Sequence, residues 1–166
     1  MIIDTQRVRR MVVGVGAALS AAALLVPAGP SAGPLSPATA HAAGFVVTTL
    51  ADSGPGSLRQ AIADANAAPG FDSITFGVSG TVTLVTALPD ITDVAGLVID
   101  GTGRSVTIDG NNAVRPFKVT TGAALEIRKL TVTKGRGDGG AVYNAGALVA
   151  KQSMLIGNVA DTGPCC

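Results

Sequence analysis

Histidine occurs once in this chain, at position 41, and tyrosine once; tryptophan is absent, and cysteine is confined to the adjacent pair Cys165–Cys166. Neighbouring cysteines cannot close a loop on each other in ordinary disulfide geometry, and no Cys-x-x-Cys spacing offers a zinc or redox site. The formal net charge is only +1, without a run of Lys or Arg, which argues against a nucleic-acid partner. Aromatic residues make up 3% of the chain. A core must therefore be assembled from Val, Ile, Leu and Ala, a composition suited to thin regular layers.

What is present begins with an address. Arg7, Arg9 and Arg10 precede an uncharged apolar run from Met11 to Val26, and a Pro/Ala/Ser/Gly stretch leads to Ala40-His41-Ala42. A basic start, an apolar centre and a small-x-small end describe a secretory signal over residues 1–42. Cleavage is expected between Ala42 and Ala43, and cleavage after Ala40 also satisfies the rule. The alternative, a membrane helix, fits less well, because the run falls short of the roughly 20 residues needed to span. No stable membrane span is expected after the signal is removed. Arg9-Arg10 leaves both the general and the twin-arginine export routes open.

Removal of that segment takes away His41 and leaves residues 43–166, long enough for one domain, with 9 basic and 10 acidic residues. Without an imidazole, Ser-His-Asp or Cys-His catalysis and His-built metal sites have no basis there.

The mature chain opens with a strand over Gly44–Leu50, rich in β-branched residues. A turn cluster, Ala51 to Gly56, leads to Ser57-Leu58-Arg59-Gln60, a capping box in which Gln60 is expected to reach back to the Ser57 amide. Leu58, Ala61, Ile62 and Ala65 then follow at helical spacing up to Pro69-Gly70. Beyond Asp72 short alternating strands dominate: Ser73–Phe76, Thr81–Leu84, Leu97–Asp100, Val106–Asp109, Ala124–Ile127 and Leu130–Thr133. A shift of 23 residues places Val119 on Val142, Ala124 on Ala147, Leu125 on Leu148, Val132 on Leu155 and Gly135 on Asn158. Short strands at such a period describe a stack of β-coils, an all-β parallel solenoid, in which each coil pairs with its neighbours. The amphipathic helix is expected to cover the first rung, against the exposed edges that would otherwise invite aggregation.

The stretch Val47 to Ile62, with Ser57-Leu58-Arg59, and the following Asp72-Ser73-Ile74-Thr75-Phe76 resemble the opening of CSLREA-type bacterial secreted proteins. Gly139-Gly140-Ala141-Val142-Tyr143-Asn144 and Ser153 to Asn158 resemble their repeats and those of polymorphic outer-membrane-type surface proteins. The resemblance implies a right-handed parallel β-helix of the pectin-lyase-like class. It departs at Gly56, where the motif's Cys is absent, at Gln60, where Glu is usual, and at Lys129 and Gln152, turn positions often held by Asn. Members of that group carry many more coils, so the chain reads as an N-terminal portion of a longer protein.

The best carboxylate pair is Asp100 with Asp109, flanked by Arg104 and Arg128. Stacked on one face, the two could hold Ca²⁺ or act as an acid/base couple; Asp-Gly is also simply a turn dipeptide. Arg136-Gly137-Asp138 lies in a Gly-rich stretch read as a flexible loop, and Leu88-Pro89-Asp90-Ile91-Thr92 has only a superficial likeness to a sorting signal. Thr81-Val82-Thr83 and Thr131-Val132-Thr133 are read as two isolated copies that form no ladder. No catalytic, cofactor or metal set is assigned. The expectation is a secreted or cell-surface β-helix scaffold for display or adhesion, with a carbohydrate or other cell-surface ligand. The alternatives are the N-terminal part of a polysaccharide-active lyase or hydrolase, and a truncated, non-functional remnant.

Overall fold

A computed structural model describes residues 42–161. The segment read as a secretory signal, through His41, and Cys165 and Cys166 lie outside the described residues. The elements in chain order are β1 (Gly44–Val47), α1 (Leu58–Ala67), β2 (Asp72–Phe76), β3 (Gly80–Thr83), β4 (Leu97–Asp100), β5 (Val106–Asp109), β6 (Phe117–Val119), β7 (Ala124–Arg128), β8 (Leu130–Thr133), β9 (Arg136–Gly137), β10 (Val142–Asn144), β11 (Ala147–Lys151), β12 (Met154–Ile156) and β13 (Val159–Ala160).

Every strand pairing is parallel. The first sheet runs β1-β2-β4-β7-β11, the second β3-β5-β8-β12, and two shorter ones pair β6 with β10 and β9 with β13. From β2 onward, strands adjacent in sequence lie in different sheets, and strands one coil apart are bonded. This is a parallel β-solenoid of about five turns with one short helix.

The 23-residue shift holds for the last coil in three of the four sheets: Leu125 faces Leu148, Val132 faces Leu155 and Arg136 faces Val159. It fails in the sheet of β6 and β10, where Val119 faces Asn144 and Val142 faces Phe117. The connection from β6 to β7 is longer than that from β10 to β11, and the extra residues are absorbed in the turn at Thr120–Gly122. Earlier coils are longer still. Gly44 faces Ser73, Asp72 faces Leu97, and Leu97 faces Leu125, offsets of 29, 25 and 28 residues. Register is kept by the strands and length varies in the corners, because a strand shifted by one residue would turn its apolar side chains outward.

Those side chains form columns through the stack. Phe45, Ile74, Ile99 and Ile127 occupy successive rungs of the first sheet, and Val82, Ile108 and Val132 those of the second. All but Phe45, which is partly buried, are fully buried. The helix closes the first rung. Leu58, Ala61, Ile62 and Ala65 are buried, and α1 packs on β1 and β2. Ser57 is its N-cap, with its hydroxyl accepting from the Gln60 amide at 3.2 Å. The reciprocal half of the expected capping box is not made. Gln60 bonds Asp64 one turn on, and the Ser57 amide donates instead to the Gly54 carbonyl at 3.2 Å. The tight turn before the helix already satisfies that amide, so Gln60 has no donor to meet there.

Arg59 ties this cap to the coil. Its guanidinium donates to the Asp52 carboxylate (2.7 Å) and carbonyl (3.0 Å) and to the Thr86 and Ala87 carbonyls. Gly56 has a φ of 76°, and a Cβ there would lie 2.2 Å from the Thr48 hydroxyl, so a side chain would be strained and would have to displace Thr48. The first strand ends at Val47, short of the expected Leu50, because Thr48 and Thr49 turn their amides to the Gly56 carbonyl. At the far end, Val149, Met154, Leu155, Ile156 and Val159 are 44–57% exposed.

Two stability differences follow. Ile127→Ala, in the centre of a column, is expected to cost about 2–5 kcal/mol, and Leu155→Ala about 1 kcal/mol or less, in urea melts of the protein. Arg59→Ala removes a charged donor from four acceptors and is expected to cost about 1.5–3 kcal/mol; Arg59→Lys, a single point donor, should recover little of it.

Candidate functional site

A solenoid presents its outward side chains in rows, so any site here is a set of equivalent positions on adjacent rungs. On the first sheet one outward row is Ser73, Val98, Glu126, Val149, and the next is Thr75, Asp100, Arg128, Lys151. Charge concentrates at the right-hand end of both rows. Arg128 bonds Glu126 on its own strand and lies 3.9 Å from Asp100 one rung back, while Lys151 reaches Glu126 at 2.9 Å from one rung ahead. Two carboxylates and two cations thus close into a neutral ladder. The Arg128 and Lys151 hydrogen bonds hold the Glu126 carboxyl at about 2, and the Arg128 guanidinium is correspondingly raised by Glu126. Glu126 is therefore an ionised, already partnered group at neutral pH, unsuited to general-acid work.

Asp100 and Asp109 do not meet. They end strands of different sheets, with Asp100 on the first and Asp109 on the second. Each folds onto its own turn: Asp100 accepts from the Thr102 amide at 2.7 Å and Asp109 from the Asn111 amide at 2.8 Å. The second Asp109 oxygen takes Lys134 at 2.8 Å. Burial acts to raise the Asp109 carboxyl, but Lys134 and the Asn111 amide together pull it below its ordinary value. Arg104 makes an ion pair with neither and donates to the Phe76 carbonyl at 3.3 Å. The idea of a Ca²⁺ or acid/base couple at these two aspartates is corrected by this geometry. Among the described residues no group of three or more His, Cys, Asp or Glu could hold a metal ion.

Two further segments are also tied down. The Gly-rich stretch expected as a flexible loop contains β9, paired with β13. Within it Arg136 bonds Asp161 at 3.2 Å, and the Asp138 carbonyl takes a bond from Arg115, so Arg136-Gly137-Asp138 is no projecting recognition loop. Leu88 and Ile91 of the sorting-like segment are buried, and Ile91 bridges to Val119.

The second sheet overturns one expectation. Thr81, Thr107 and Thr131 face one another on β3, β5 and β8, so the Thr residues do form a ladder over three consecutive rungs. A second row, two residues along each strand, holds Thr83, Asp109 and Thr133. Neighbouring rungs lie about 4.8 Å apart and residues i and i+2 about 6.6 Å apart, so hydroxyls and methyls form a regular grid interrupted in the second row by Asp109 and its partner Lys134. On the next rung Met154 and Ile156 extend the rows, 57% and 55% exposed. Beside the first sheet, an open hollow of about 130 Å³ is lined by Phe71, Leu97, Ala124, Ala147 and Val149, with Glu126 as its one charged lining residue.

No family model matches the chain, and no curated protein matches it. Among the described residues no helix is long and apolar enough to cross a membrane.

The charge ladder has a pH signature. Glu126 is held at about 2 when folded, against an ordinary 4.5. A depressed carboxyl stabilises the fold fully above about 4.5, and that contribution is lost as the pH falls through about 2. Melting temperatures of the wild type and Glu126→Gln, measured between pH 7 and pH 2, should converge across that window as the wild type loses its advantage.

Proposed function

We propose that this chain is a secreted or cell-surface scaffold that binds rather than turns over its ligand, a carbohydrate or another cell-surface component. Its export rests on the basic, apolar and small-residue segments ahead of Ala43, and its kinship to CSLREA-type, pectin-lyase-like proteins on the cap residues Ser57-Leu58-Arg59. The observation that carries a binding role is the commitment of the candidate acid and base groups. Asp100, Asp109, Glu126 and Arg128 are held in turns and ion pairs, whereas the Thr grid of the second sheet is outward-facing. A grid of hydroxyls and methyls at fixed spacing suits a repeating ligand, because each sugar ring of an extended chain offers similar polar and apolar edges.

The test is retention of the exported protein on insoluble polysaccharides and on cell walls. Thr107→Lys and Thr131→Lys place a charge in the middle of the grid. Each is expected to lower retention at least tenfold while leaving the melting temperature within a few degrees. Release of soluble oligosaccharide by the wild type would favour the polysaccharide-active alternative instead.

A further inference from the structure

Asp72, the first residue of β2, is a carboxylate with no exposed surface. Its Oδ1 accepts a hydrogen bond from the Ala43 amide nitrogen at 2.8 Å, and its Oδ2 is buried without a partner. None of the ion pairs among the described residues includes it. A buried carboxylate with one neutral donor and one orphaned oxygen is unfavourable, and a cation in place of that neutral donor would compensate it.

The donor is the residue that the small-x-small rule makes the first of the mature chain. Ala43 is also fixed from its other side, since its carbonyl accepts from the Ser73 amide at 2.9 Å, directly before β1 pairs with β2. The geometry points to Asp72 as the receptor of a new N-terminus: cleavage of the Ala42–Ala43 bond creates an α-ammonium that ion-pairs with this buried carboxylate and locks the first rung. The inference rests on the export reading above.

The chemistry balances with water as the co-reactant and a signal peptidase as the catalyst. Water adds across the amide, Ala42 departs with a new carboxylate, and the Ala43 nitrogen gains protons to become –NH₃⁺. A nitrogen already 2.8 Å from Oδ1 then offers further N–H groups, one of which can turn to Oδ2. The two possible cleavage points are distinguished by the same geometry. A chain starting at His41 would carry its ammonium two residues away, about 7 Å along an extended chain, and would leave an amide at Ala43 as before.

The experiment uses the full-length precursor in an exporting bacterial host. Intact mass and N-terminal sequencing of the exported protein should give Ala43 as the first residue. The exported form should melt several degrees above precursor retained in the cytoplasm, and Asp72→Asn should abolish that difference. Because Asp72→Asn could itself prevent folding, a second readout uses the wild type alone. The Ala43 α-amine of the folded exported protein should react with an acylating reagent at least tenfold more slowly than in urea. An absence of processing would sink the export reading and this inference together. Processing at His41 or elsewhere would overturn the inference and leave export standing. Processing at Ala43 with equal melting temperatures, or with an α-amine as reactive folded as unfolded, would overturn the ion pair.

Discussion

Hydrogen bonding between successive coils is the constraint on which everything else in this molecule depends. No strand pairs with another strand of its own coil, so the strands' N–H and C=O groups are satisfied by the rungs on either side. That requirement fixes the register, and the register in turn aligns Ile74, Ile99 and Ile127, or Val82, Ile108 and Val132, into dry columns. It also aligns the outward rows, so the Glu126 charge ladder and the Thr grid are consequences of the same pairing. Corners are free to vary in length because they carry little of this pairing, which is why coils of different size share one core.

The same constraint makes the ends of the stack special. At the first rung, α1 covers the apolar columns, and Arg59 binds the cap to the coil through one carboxylate and three backbone carbonyls. The Ser-Leu-Arg segment thus has a structural meaning independent of any family: a cap, a buried anchor and a clamp. Asp72 sits at the edge of this closure, where β1 pairs with β2. In the last described rung Leu155 and its neighbours are exposed.

Much of this was legible in the chain. The helix stripe Leu58, Ala61, Ile62, Ala65 and the facing of Leu125 on Leu148 follow from periodicity, because burial of one face enforces it. The Thr ladder was not, for two reasons. Its middle member, Thr107, is followed two residues later by Asp109, which hides the Thr-x-Thr pattern, and the coils joining the three Thr differ in length, so no single period aligns them. The capping box was half legible: sequence spacing permits the Gln60 contact, but the preceding turn had already satisfied its target. Asp72 carried a signal that could have been used, a carboxylate opening an alternating strand, on the same face as Ile74 and Phe76, with no Lys or Arg nearby along the chain. Asp100 and Asp109 failed as a pair because spacing places them one strand apart, and in this fold the next strand belongs to a different sheet.

Hydrogen exchange across the protein tests the dependence on neighbouring rungs most directly. Amides of β4, β5, β7 and β8, flanked by a rung on both sides, should be the most protected, with protection falling steadily through β11, β12 and β13. Equal protection along the stack, or strongest protection in the last rung, would contradict a fold held together by pairing between coils.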